Sequence, residues 1–104
     1  MFLHCVFCDL ISDTEQAALL SVMQELAEFS LGLEGVERFE FGPNRDFENK
    51  SRAYDAGFVI HFSNRGALEF YAKHPLHQAL GKRLCDLCKG GADGIIVFDL
   101  ETAP

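Results

Sequence analysis

A chain of 104 residues, 48% of them hydrophobic, is long enough to bury one core without help from metals or disulfides, so we expect a single domain over residues 1–104. Its 16 acidic and 9 basic side chains leave a net charge of −7, which excludes the cationic footprint of a nucleic-acid or anionic-lipid binder. No apolar run approaches the roughly 20 residues that cross a bilayer.

Met1 to Leu10 is apolar but lacks a basic leader region and a small-residue cleavage site, and it carries His4, Cys5, Cys8 and Asp9. We therefore expect a cytoplasmic protein whose first strand runs from Phe2 to Asp9. Ser12 and Glu15 form a capping-box pattern. Beyond them Leu19, Val22, Met23, Leu26, Phe29 and Leu33 recur at helical spacing, which predicts a helix ending near Leu31 with Gly32 as its stop. Gly35 to Gly42 alternates as a second strand, with Val36, Arg38 and Glu40 assigned to one face and Glu37, Phe39 and Phe41 to the other. Gly42-Pro43-Asn44 opens a polar loop through Arg52, expected to be exposed and mobile. Tyr54 to Phe62 predicts a third strand with Tyr54, Ala56, Phe58, Ile60 and Phe62 facing one way.

Ser63 or Asn64 is placed to cap a short helix carrying Leu68 and Tyr71. Leu76, Leu80, Leu84, Leu87 and Cys88 form the stripe of a further helix closed by Gly90-Gly91, and Asp93 to Glu101 is the last strand. The order is β-α-β-β-α-β with a split second helical segment. This is an α+β, ferredoxin-like arrangement of an antiparallel four-stranded sheet with helices on one face.

The cysteines fall as Cys5-x-x-Cys8 and Cys85-x-x-Cys88, spacings that evoke zinc. Residues three apart on a strand point to opposite faces, so Cys5 and Cys8 cannot grip one ion, and Val6-Phe7 is poor turn material. Buried reduced thiols are expected instead, with neither metal nor cofactor.

The first and last strands are apolar on both sides: Leu3, Cys5 and Phe7 oppose Phe2, Val6 and Cys8, while Ile95 and Val97 oppose Ile96, Phe98 and Leu100. Strands of that kind are buried on both faces, yet the helices cover only one. A second copy packed sheet on sheet is the simplest cover, which predicts a homodimer.

Tyr71-Ala72-Lys73-His74-Pro75-Leu76-His77 gathers a phenol and two imidazoles at a helix break. Proline pushes His74 out of the α region and itself suits the first helical position. His77 then lies in a first turn, where the positive helix end disfavours imidazolium.

With this topology in place, the chain resembles the stress-responsive dimeric α/β barrel (Dabb) family. The pieces carrying the resemblance are His4 in the early strand, Gly35-Val36, Gly42-x-Asn44, Tyr54-Asp55, Phe62, Ala67-Leu68, Phe98-Asp99 and above all Tyr71-x-x-His74-Pro75-x-His77. The resemblance implies a homodimer whose sheets form a barrel, with a pocket between sheet and helices in each subunit. From a polyketide cyclase of this fold it further implies a small apolar or polyketide-like ligand. His77 would then be the base, Tyr71 would orient a carbonyl, and His4 would lie at the pocket edge. That cyclase carries another pocket histidine about where this chain has Ala56, so the cyclase pattern is matched only in part.

Each candidate also has a plainer reading. His77 can cap or pack locally, Tyr71 can be a core aromatic, His4 a satisfied core histidine and His74 a brace for the helix break rather than a ligand contact. Asp55 and Asp99 are expected to be solvated or paired with a cation at a subunit boundary. The 44–50 loop is read as solvated surface or as a lid over the pocket. Three functions stay open: a ligand-binding dimer without turnover, a cofactor-independent enzyme using His77 and Tyr71, and a purely structural oligomer.

Overall fold

A computed structural model describes residues 1–103. Its elements are β1 (Phe2–Cys8), α1 (Gln16–Leu31), β2 (Val36–Pro43), β3 (Ala56–Phe62), α2 (Arg65–Lys73), α3 (Pro75–Cys85), a 3-10 turn (Gly91–Gly94) and β4 (Ile95–Glu101). The four strands form one antiparallel sheet in the order β2-β3-β1-β4. The β-α-β-β-α-β expectation therefore holds, with its second helical segment divided into α2 and α3.

Strand pairing sorts the side chains into two faces. His4 lies opposite Ile60 and Asp99, Val6 opposite Phe58 and Val97, and Cys8 opposite Ala56 and Ile95. These residues face the helices. There Ala56, Phe58, Ile60 and Phe62 pack against Leu19, Val22, Met23 and Leu26 of α1 and Leu80 and Leu84 of α3. Burying each large apolar side chain contributes about 1.5–3 kcal/mol, so this layer supplies most of the drive to fold. The Arg83–Glu25 ion pair, 2.7 Å, fastens α3 to α1 at the rim. The opposite face carries Leu3, Cys5, Phe7, Val59, His61, Ile96, Phe98 and Leu100, and no helix covers it.

Strict alternation separates Val36 from Phe39, but the structure brings them together. A β-bulge between Val36 and Arg38 shifts the register, so that Val36 pairs with Phe62 and Phe39 with Ile60, and both reach the core. One extra residue is enough to re-phase a strand. Gly57 permits another close approach: a Cβ there would lie 2.7 Å from the Phe7 ring and 2.6 Å from the Val6 carbonyl oxygen.

Of the expected helix ends, the Asn64 cap of α2 is found, accepting from the Ala67 N–H at 2.9 Å; two others differ. The capping box at Ser12 does not form, and Glu15 precedes α1 without a side-chain cap. α3 stops at Cys85, so Leu87 and Cys88 belong to a following turn in which Cys88 bridges Leu10, and Leu76 is exposed at the helix start. Helical spacing continues past the real end because that turn stays packed on the core.

Candidate functional site

The helix break is built as its residues dictate. His74 sits at φ −68°, ψ 132°, its own N–H still bonded to the Tyr71 carbonyl, and Pro75 opens α3. The His74 ring then turns back and accepts from the Leu76 N–H through Nδ1 at 3.1 Å. One nitrogen of His74 is thus committed to capping α3, and its ring leans on Phe29 at a 4.7 Å centroid distance.

Tyr71 and His77 meet across this break, with ring centroids 4.4 Å apart. Tyr71 is fully buried among Phe29, Phe62, His4 and His77. Its hydroxyl has no hydrogen-bond partner, and burial pushes the phenol well above its ordinary pKa. It is a neutral donor without a partner in the chain. Leaving such a group unsatisfied costs about 1–3 kcal/mol.

His77 is half-buried, and its Nδ1 lies 3.0 Å from the Ala72 carbonyl oxygen. A carbonyl only accepts, so Nδ1 carries the proton and the neutral ring presents Nε2 as a lone pair. Burial lowers the His77 pKa below 6.5; the Ala72 carbonyl partly opposes this, and His4 and His74 push it further down. The downward shift has the direction expected from the sequence, and desolvation is its largest cause.

His4 closes the corner from β1. Its ring meets Tyr71 edge-on at 5.5 Å, and Nδ1 donates to Asp99 Oδ1 at 2.6 Å. Sequence alone leaves Asp99 to solvent or a subunit boundary. Antiparallel pairing of β1 with β4 sets it directly opposite His4 instead. Its one legible signal is a carboxylate on the helix-facing side of an otherwise apolar strand. Asp55 is likewise engaged within the chain, accepting from the Leu10 N–H at 2.9 Å.

His4, Tyr71, His74 and His77 therefore all converge, and the closest ring pair among them is Tyr71 and His77. They share no hydrogen bond. His61 lies on the other face and bonds Glu40 at 2.9 Å, so it does not replace the histidine that Ala56 lacks. Cavities of about 830 and 210 Å3 lie elsewhere, and one of about 520 Å3 opens beside His74 and Pro75; none of the three is lined by Tyr71 or His77.

The 44–54 loop stands over the uncovered sheet face, where it lines the 830 Å3 cavity, and is not a lid on this corner. It is also tightly tied. Asp46 accepts from the Lys50 and Ser51 N–H groups at 2.7 and 3.1 Å, and Asn44 Nδ2 donates to the Tyr54 carbonyl at 2.9 Å.

All four cysteines are free. Cys5 and Cys8 face opposite ways, and burial raises the Cys8 thiol to about 12, which makes it a poor nucleophile and ligand. Among the described residues no group of three or more His, Cys, Asp or Glu side chains is disposed to hold a metal, and no helix is long and apolar enough to cross a membrane.

The fold and corner define a ferredoxin-like α+β protein of the kind found in dimeric barrels. The chain belongs to the family described as the stress responsive A/B barrel domain, which matches residues 2–102. A dimeric ferredoxin-like protein of unknown function from Jannaschia is similar at 40% identity, covering 97% of this chain and 98% of that one, with a TM-score of 0.90. An Arabidopsis thaliana protein shares the fold at 17% identity, 100% and 97% coverage and a TM-score of 0.85. A hydroxynitrile lyase from Passiflora edulis shares it at 14% identity, 99% and 96% coverage and a TM-score of 0.79. No curated protein matches.

Proposed function

We propose that the chain acts as a homodimer that binds a small, largely apolar molecule through a carbonyl or hydroxyl oxygen at the His4–Tyr71–His77 corner. The observation that carries this reading is the buried Tyr71 hydroxyl with no partner, on a ring packed 4.4 Å from that of a desolvated His77 whose Nδ1 is tied to Ala72. A ligand oxygen would accept from the phenol and recover the roughly 1–3 kcal/mol lost to its isolation. The aromatic walls of Phe29 and Phe62 suit an apolar ligand body. Dimerisation is supported by the uncovered apolar sheet face and by relatives described as dimeric.

Acetophenone, an apolar ring with one carbonyl, is a suitable probe. Tyr71→Phe should weaken its binding about fivefold to tenfold, the value of one hydrogen bond. Equal affinity in both proteins would remove the phenol from the site.

A second reading has His77 as general base, supported by the Nδ1 tie that leaves Nε2 as a lone pair on a neutral ring. Wash-in of solvent deuterium at the acetophenone methyl group measures this. His77→Ala should abolish the catalysed part while the thermal midpoint stays nearly unchanged. The rate should rise with pH and level off below 6.5, since the His77 pKa is lowered from that value. A large loss of stability without a change in exchange would make the histidine architectural. The missing hydrogen bond between Tyr71 and His77 favours binding over turnover.

A further inference from the structure

Phe47 is the most exposed large apolar side chain of the molecule, 94% accessible. An isolated phenylalanine on a floppy loop would mean little, but this loop is internally tied. Asp46 adopts a positive φ of 45° and spends one carboxylate oxygen on the Lys50 and Ser51 N–H groups and the Ser51 hydroxyl. Asn44 donates to Ser51 Oγ and to the Tyr54 carbonyl, at 2.8 and 2.9 Å, and receives the Asp46 N–H on its own oxygen. This network ties the segment that carries Phe47.

The loop stands at the edge of the uncovered sheet face. Together they enclose the 830 Å3 concavity, whose floor includes Phe7, Val59, Ile96 and Phe98. That volume is too open and too wide to close on itself, and the floor belongs to the face that the dimer reading covers.

We propose that the 44–54 loop clasps the second copy of this chain, with Phe47 seated as an apolar anchor against the partner subunit. The inference rests on the homodimer reading and adds to it the element that fixes subunit orientation. Around a two-fold axis each loop reaches across, so the clasp is made twice and a single substitution is felt twice. A rigid aromatic loses little conformational freedom on docking, which is why such residues dominate interfaces.

The chain contains no tryptophan, so the Phe47→Trp variant carries a lone fluorescent reporter. In the dimer its emission should be blue-shifted, moving red on dilution as sedimentation records dissociation. Phe47→Ala should weaken dimerisation roughly 30-fold or more, the scale of an aromatic hot spot, with unchanged far-ultraviolet circular dichroism because the side chain supports nothing in its own subunit. Red, solvent-like emission from a dimeric Phe47→Trp variant, together with an unaltered dissociation constant for Phe47→Ala, would overturn the clasp and leave the dimer standing. A monomeric wild type would overturn the dimer reading as well.

Discussion

The two faces of the sheet draw on the same strands and reach opposite outcomes. On the helix side, alternate residues of β1 and β3 meet α1 and α3 and disappear from solvent: Val6, Phe58, Ile60 and Phe62 are all below 5% exposure. On the other side Leu3, Phe7 and Val59 of the same two strands stay half-exposed, with no helix above them. The contrast teaches that apolarity was allotted to both faces while the single chain can cover only one. It also separates the polar groups by purpose. Those on the covered side gather at the His4–Tyr71–His77 corner, where burial perturbs Tyr71 and His77, whereas those of the 44–54 loop spend themselves bracing it over the open face.

The largest effect expected from breaking this contrast is on the open side. Phe98→Asp places an unpaired charge where the partner would pack and should weaken dimerisation by about a hundredfold or more in sedimentation velocity. A dimer of unchanged strength would mean the partner sits elsewhere. Next comes the covered side. Tyr71→Ala should cost about 3–5 kcal/mol in chemical denaturation, because it empties the centre of an aromatic cluster. Tyr71→Phe sharpens the point: the hydroxyl has no partner to lose, so stability should stay the same or rise by up to about 1 kcal/mol. A loss beyond that would reveal a bond to the hydroxyl. His74→Ala should cost about 1 kcal/mol through loss of the α3 cap, read as a lower denaturation midpoint with Tyr71 still buried.

The smallest effect is electrostatic. His77 has a folded-state pKa below its unfolded value, so the unfolded chain binds more protons as the pH falls through 6.5. The contribution of the neutral ring is fully present above pH 6.5 and declines below it, levelling off once the pH passes beneath the folded-state value. Denaturation midpoints measured from neutral pH into mild acid should therefore fall toward the acid end, and His77→Ala should flatten that part of the profile. An identical profile in the variant would assign the acid sensitivity to other groups.

Much of this is legible without coordinates. Alternation and helical spacing mark every strand and helix, and the His74-Pro75 step marks the break because proline's steric demands are local. What escapes is non-local or depends on a single inserted residue. The bulge that brings Val36 and Phe39 together cannot be seen in alternation alone, and the end of α3 is masked by Leu87 and Cys88, which pack on the core without being helical. Asp99 can be tied to His4 only through the β1–β4 register. The lowered pKa of His77 has the expected direction but a cause, burial, that no local pattern encodes. The side-chain bonds from Asn44 and Asp46 that tie the 44–54 loop are likewise not encoded in composition.

The central claim is that the Tyr71–His77 corner, on the covered face, is where this protein meets a ligand. Heteronuclear NMR of the wild-type protein, with the Tyr71 ring and the His77 imidazole observed while acetophenone is added, tests it most directly. The account predicts that His77 Nε2 and the Tyr71 ring carbons shift together, with saturation, while the signals of Phe7, Phe98 and Phe47 do not move. Shifts confined to those open-face residues, or none at Tyr71 and His77 at saturating probe, would contradict it.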